Sequence, residues 1–211
     1  MDSRLRRAAQ EAIGFMPEVE GEALYEAGLS GAERRPLLEI GSYCGKSAIY
    51  LGAAAREKET VLYSIDHHRG SEEHQEGEEF HDPRLVDPAT GEVDTLPTFR
   101  RTIAEAGLDD VVIGIVARSE TVASRWGTPL GLVLIDGSHS ETSARRDYEG
   151  WAVHLVTGGL LVIHDVFEDP ARGGHAPLDI YLRALRSGAF VEKSSVQSLR
   201  VLRRIGDGPL Y

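Results

Sequence analysis

Leu37-Leu38-Glu39-Ile40-Gly41-Ser42-Tyr43-Cys44-Gly45-Lys46-Ser47 reads as a buried strand, a glycine turn and the opening of a helix. Leu37 to Ile40 is short, mostly apolar and β-prone. Ser47-Ala48-Ile49-Tyr50-Leu51 begins a helical apolar pattern expected over roughly 45–56. Gly41 and Gly45 give the turn backbone freedom without side-chain bulk. Such a turn aims unpaired N–H groups, and the positive end of a helix dipole, into the crevice beyond the strand. It is a site for a nucleotide-type cofactor.

Spacing separates the site types that share this architecture. A phosphate-gripping P-loop needs four residues between its glycine and Gly-Lys-Ser/Thr, whereas only Ser42, Tyr43 and Cys44 stand between Gly41 and Gly45-Lys46-Ser47. The dinucleotide fingerprint needs Gly-x-Gly-x-x-Gly, and Ser42-Tyr43 stands where its second glycine belongs. What fits is an acidic strand residue, Glu39, followed by Gly-x-x-x-Gly.

Strand-like and helix-like segments alternate along the rest of the 211 residues, which argues for one α/β domain. With 34 Asp+Glu against 23 Lys+Arg the net charge is −11, and no arginine stripe interleaves with aromatics, so nucleic acid is not an expected partner. Cys44 is the only cysteine, which excludes an internal disulfide and a cysteine zinc cluster. No apolar run approaches membrane-spanning length and Met1-Asp2-Ser3-Arg4 leads into no apolar segment. No membrane partner and a cytoplasmic location are therefore expected.

Residues 3 to about 30 read as two short amphipathic helices, with Leu5, Ala9, Ala12 and Met16 on one stripe and Pro17, Gly21 and Gly28 as breaks. This 1–35 segment is expected to cap the sheet edge or the cofactor pocket, or simply to pack. Val61 to Asp66 is a second strand ending in a carboxylate, 25 residues after Gly41. An acid at that tip grips ribose hydroxyls in α/β cofactor folds, although Asp also opens loops. Residues 67–97, with His67, His68, His74 and His81 among many acids, form a long lid or substrate loop rather than a metal cluster. A helix from Thr98 to Ala106 stops at Gly107. Strand three, Val111 to Val116, leads to Ser119, either a cofactor contact or an N-cap, and to a short helix containing Trp126.

Strand four, Leu130 to Ile135, ends Asp136-Gly137-Ser138-His139, with Ser138 and Glu141 at capping-box spacing. Strand five, Gly159 to Ile163, ends His164-Asp165. Two strands expected to be neighbours thus finish in Asp, with a His at or near each tip, on the edge where open α/β sheets bind ligands. His154, beside Val153 and Leu155, reads as a packed core histidine. Pro177 to Arg186 is a helix closed by Gly188; Ala189 to Glu192 and Gln197 to Arg204 are a terminal strand pair.

Glu39-Ile-Gly-Ser-Tyr-Cys-Gly-Lys-Ser, Ile65-Asp66-His-His-Arg-Gly, Leu134-Ile-Asp136-Gly-Ser-His139 and Gly158-Gly-Leu-Leu-Val-Ile-His164-Asp165 together resemble class I S-adenosylmethionine (SAM)-dependent O-methyltransferases. More narrowly they resemble the metal-dependent sugar methyltransferases related to macrocin O-methyltransferase and the cephalosporin hydroxylase-type proteins, over roughly 36–205. The resemblance implies a Rossmann-like fold with a mostly parallel seven-stranded sheet and an antiparallel C-terminal hairpin. It implies methyl transfer to a hydroxyl of a sugar or oligosaccharide, a mannoside 1-hydroxyl being the narrowest acceptor. It places Glu39, Gly41, Ser42, Gly45 and Ser47 at the methionine side of SAM, Asp66 on the ribose and Ser119 by the adenine, with Asp136 also at the cofactor. It implies a divalent ion, usually magnesium, held by Asp136 and Asp165. His164 stands where relatives carry an oxygen ligand, so either water replaces it or the ion is softer. His139, three residues past Asp136, is the expected base, or else a helix-start residue. Related enzymes are commonly dimers, so a homodimer is expected.

Two rivals remain on the sequence. A nicotinamide-dependent oxidoreductase would reuse Gly41 and Asp66 but leaves Asp136 and Asp165 unexplained. A non-catalytic SAM- or nucleotide-binding module explains the glycine turn and not the rest.

Overall fold

Seven strands lie in the order β3-β2-β1-β4-β5-β7-β6, in a computed structural model that describes residues 1–33, 35–138, 140–169 and 175–206. In chain order the elements are α1 (Ser3–Glu11), α2 (Glu18–Ala32), β1 (Leu37–Ile40), α3 (Lys46–Glu57), β2 (Leu62–Asp66), α4 (Leu96–Ala106) and β3 (Val112–Val116). Then follow α5 (Ser119–Ala123), β4 (Leu130–Ile135), α6 (Glu141–Trp151), β5 (Leu155–Ile163), α7 (Ala176–Arg186), β6 (Phe190–Val196) and β7 (Leu199–Arg204). The strands β1 to β5 pair in parallel, and β7 joins β5 antiparallel. This is the expected α/β sheet with its antiparallel terminal hairpin. The order reverses at β1, so the carboxyl ends of β1 and β4 form the switch point where such sheets open a crevice.

The central strands are apolar on both faces because helices cover both. Leu37, Leu132, Leu134, Leu160 and Val162 join Leu24 and Tyr50 in one core. The alternate residues Leu38, Ile40, Val133, Ile135, Leu161 and Ile163 join Tyr148 and Trp151 in the other. Each such buried side chain contributes about 1.5–3 kcal/mol relative to exposure. Glu39 shares the Leu37 face, and parallel register sets it beside Ser64. Helices α1 and α2 belong to the first core through Leu5, Ala9, Leu24 and Tyr25.

Several local expectations are corrected. Gly21 and Gly28 do not break a helix but lie inside α2. A Cβ on Gly21 would stand 2.2 Å from the Tyr50 ring, and one on Gly28 2.8 Å from Ala54 Cβ, so they let α2 settle on α3. Helix α1 ends at Glu11, leaving Ala12 as an extended cap and Met16 buried in the connection. Ser140, not Ser138, caps α6, accepting from Ser143 N at 3.3 Å. Arg118 is the cap position of α5, and Trp126 lies beyond that helix, donating to Thr128 O at 2.7 Å. His154 is half-buried, its ring edge-on to Trp151, rather than in the core.

The segment expected as a lid, which ends where α4 begins at Leu96, carries two short 3-10 turns, Glu72–His74 and Pro83–Leu85. Its ends are tied together: Thr95 N donates to His68 O at 3.1 Å, and the buried His68 ring meets Thr95 Oγ1 at 2.8 Å. The tip around Glu76 to Phe80 is exposed. It is a long loop pinned at its base.

Candidate active site

A cavity of about 660 Å³ opens at the carboxyl ends of the strands, within the range of about 300–1,000 Å³ typical of ligand sites. Gly41, Ser42, Ser47, Asp66, Ser119 and Asp136 line it, as do His164 and Asp165. Glu39 and Gly45 do not. Glu39 is fully buried under α3, and the Cα–Cβ direction at Gly45 faces Phe99 and Thr102 of α4, at 3.2 and 3.3 Å. These two shape the turn from behind. His139 and residues 207–211 of the terminal segment lie outside the described residues.

Backbone conformation at the tips is special. Gly41 takes φ +87°, and Tyr43, His68 and Asp165 take φ of 46°, 58° and 57°. Left-handed non-glycine residues of this kind cost roughly 1–3 kcal/mol and gather at functional sites. Asp66 supports two of the three: its Oδ2 accepts from Tyr43 N at 2.8 Å and its Oδ1 from His68 N at 2.7 Å. Each oxygen keeps a further acceptor position for a hydroxyl. Ser42 Oγ is buried against the cavity with no hydrogen-bond partner. An orphaned donor beside a glycine turn and a helix start fits the polar amino-acid end of SAM.

Ser119, on the cavity wall, also has protein partners. Its hydroxyl accepts from Trp151 Nε1 at 2.7 Å and bonds Asp147, a buried carboxyl on the cavity wall that the sequence did not single out. Burial pushes Asp147 up to about 6 against the lowering effect of Ser119. Lys46, at the start of α3, also lines the cavity and reaches Gly14 O at 3.4 Å. At the rim, Phe15 lies 5.0 Å from Phe80 and 5.6 Å from Tyr43, and Tyr43 lies 4.8 Å from His74, centroid to centroid. These rings bring the α1–α2 connection, the glycine turn and the long loop before α4 into one aromatic wall.

The strand tips deliver the acid–histidine cluster. Neighbouring β4 and β5 put Asp136 Oδ1 2.9 Å and Asp165 Oδ2 3.3 Å from His164 Nδ1. The other ring nitrogen, Nε2, meets Glu20 Oε2 of α2 at 2.8 Å. Burial disfavours the charged imidazole, but the three carboxylates outweigh it and hold His164 well above its usual range. Burial likewise raises Glu20, and hydrogen bonds from His164 and Ser198 more than reverse that, so its carboxyl is lowered. Glu20 had gone unnoticed on the sequence. Its signal is an acid on the buried stripe Glu20, Leu24, Ala27, Gly31 at helical spacing.

These residues fit a divalent cation. One ligand atom each from Asp136, His164 and Asp165 lies within 4.8 Å of the others. Adjacent ligands of an ion bound at about 2.1 Å stand about 3 Å apart, close to the two Nδ1–carboxylate distances. A histidine whose second nitrogen meets a carboxylate is the usual support of a metal ligand. One nitrogen with two carboxylates suits a transition ion at least as well as magnesium.

Glu39 gives a test of this electrostatic frame. Ser64 Oγ donates to its Oε1 at 2.5 Å, while Oε2 lacks a partner. Burial pushes it from 4.5 to about 7, opposed by Ser64 and Ser47 and aided by Asp136 and Asp66. The folded chain therefore binds more protons here than the unfolded chain, and stability falls as pH rises from 4.5 to about 7. At about 1.4 kcal/mol per pKa unit, the ionised carboxyl costs on the order of 3 kcal/mol. Glu39→Gln is expected to melt near wild type at pH 4.5 and several degrees above it at pH 8. Parallel thermal melts at the two values check this; a constant difference would refute it.

The strand order, the terminal hairpin and a cleft at the switch point define a class I methyltransferase fold. The chain belongs to the methyltransferase-domain family, whose model matches residues 38–166. Among solved structures it is similar to the O-methyltransferase TomG from Streptomyces achromogenes in complex with SAM. The identity there is 15% over 98% of this chain and 91% of that one, with a TM-score of 0.64. The O-methyltransferase NovP is 15% identical over 90% of this chain and 81% of its own, with a TM-score of 0.67. The S-adenosylhomocysteine (SAH)-bound methyltransferase PaMTH1 of Podospora anserina is 13% identical over 98% and 89%, with a TM-score of 0.66. Among the described residues no helix is long and apolar enough to cross a membrane.

Proposed function

We propose that the protein is a SAM-dependent O-methyltransferase that acts on a hydroxyl of a sugar or oligosaccharide with the help of a divalent ion. The observation that carries this reading is one cleft holding the glycine turn, the β2 carboxylate and the Asp136–His164–Asp165 cluster. Asp66 would hold the ribose, Ser42 and Ser47 the methionyl end, and Asp136, His164 and Asp165 the ion. When bound, the ion lowers the pKa of a coordinated hydroxyl. His139, close behind Asp136 in sequence, would take the proton. The aromatic wall of Phe15, Tyr43, His74 and Phe80 offers apolar ring faces on which a sugar can lie. The narrowest acceptor in this reading is the 1-hydroxyl of a mannoside precursor of methylmannose polysaccharide. The oxidoreductase alternative is not favoured, because it gives Asp136 and Asp165 no task.

Calorimetric titration with SAH, NAD and ATP tests the cofactor. Selective SAH binding is expected, with Asp66→Ala weakening it about 10–100-fold, the loss of one or two good hydrogen bonds to a charged group. Transfer of labelled methyl from SAM to mono- and oligosaccharides, abolished by chelator and restored by Mg²⁺ or Mn²⁺, tests the reaction. Preference for NAD would sink the reading, and transfer unaffected by chelator would remove its metal component.

A further inference from the structure

Glu20 is 1% exposed, on a helix far from the strand tips in sequence, yet its carboxylate is fully engaged at the site. Oε1 accepts from Ser198 N at 2.6 Å and Ser198 Oγ at 2.8 Å, and Oε2 meets His164 Nε2 at 2.8 Å. Ser198 stands in the β6–β7 turn and its carbonyl accepts from Val166 N at 3.0 Å, just past the β5 tip. The cap helix, the terminal hairpin and the β5 tip are thus joined through one carboxylate.

We infer that Glu20 is the positioning residue of the ion site: its carboxylate accepts a hydrogen bond from His164 Nε2–H, which keeps the ring proton on Nε2 and leaves Nδ1, as a lone-pair donor, facing the ion held with Asp136 and Asp165. This rests on the metal-dependent reading above. The hydrogen-bond pattern makes a carboxylate necessary. Ser198 N is a donor only, so whatever occupies Oε1 must accept. In Glu20→Gln the amide oxygen must therefore stay on Ser198, which turns the NH₂ toward His164 Nε2. That nitrogen must then accept, the ring proton moves to Nδ1, and the ligand position is blocked. The variant is isosteric and leaves the glycine turn and Asp66 untouched.

The test is Mn²⁺ affinity, by electron paramagnetic resonance titration of free ion, for wild type and Glu20→Gln, with SAH affinity as the check on folding. Loss of a carboxylate behind a metal-bound histidine typically weakens the ion about 10–100-fold, and that loss is expected with SAH affinity unchanged. Equal Mn²⁺ affinity in the two proteins overturns the role of Glu20 and leaves the metal reading standing. Wild type that takes up no Mn²⁺ sinks the metal reading itself, and this inference with it. A second measurement needs no variant. In the Zn²⁺-loaded wild type, ¹⁵N spectra should show His164 protonated on Nε2 and bare at Nδ1; a proton on Nδ1 overturns the proposal.

Discussion

Asp136→Asn is expected to lower methyl transfer about 10²–10³-fold, the usual loss when one charge-stabilising group leaves a preorganised site, while SAH affinity stays at the wild-type level. Asparagine keeps the shape of the side chain and an oxygen facing His164 Nδ1, which lies 2.9 Å from Asp136 Oδ1. It removes the negative charge that pairs with a cation. In the proposed assignment Asp136 serves the ion rather than the cofactor, whose groups, Asp66 on β2 and Ser42 in the glycine turn, sit on other tips of the sheet. Labelled-methyl transfer and SAH titration on the same preparation read the two effects separately. Full activity in the variant would remove Asp136 from the chemistry. Unchanged SAH binding in a protein with no transfer activity to lose would revive the binding-module reading.

What the sequence revealed follows from how local each signal is. The β1 turn was legible because strand, glycines and helix start are contiguous. Asp66, Asp136 and Asp165 were legible because each closes an apolar run, and parallel pairing of β4 with β5 then brings two of them together. Glu20 was hidden because its partners lie 144 and 178 residues away. The first segment looked like simple packing once its glycines were read as breaks. In the fold those same glycines let α2 approach α3, and that approach is what carries Glu20 to the β5 tip. Ser119 was legible only in part: it lines the cavity, but Arg118 takes the cap position, and the bonds of its hydroxyl to Trp151 and Asp147 of α6 span too much chain to be read from the sequence. The α6 cap was misplaced because Ser138 has an acid three residues on and Ser140 does not, yet the backbone turn makes Ser140 the residue that accepts from Ser143 N.

Gly41→Ala is expected to cost about 2–6 kcal/mol of stability, taking strain at a left-handed residue as about 1–3 and forced overpacking as about 1–3. That is a large share of the roughly 5–15 kcal/mol that holds a domain folded. The positive φ of 87° is only half of the reason. A Cβ there would stand 2.0 Å from the carbonyl oxygen of Asp136 and 2.8 Å from Gly137 Cα, and neither atom can rotate away. Relief requires the β1 and β4 tips to part, which moves Asp136 off His164 and opens the cofactor turn. Gly77, in the long loop before α4, isolates the conformational part. Its φ is 91°, nearly the same, but nothing lies within 4 Å of a Cβ built on it. Gly77→Ala should therefore lose only the conformational part, about 1–3 kcal/mol, and keep full SAH affinity. Urea unfolding and SAH titration of both variants make the comparison. If the two lose the same stability and both still bind SAH, contact between the tips of β1 and β4 does not hold the site together.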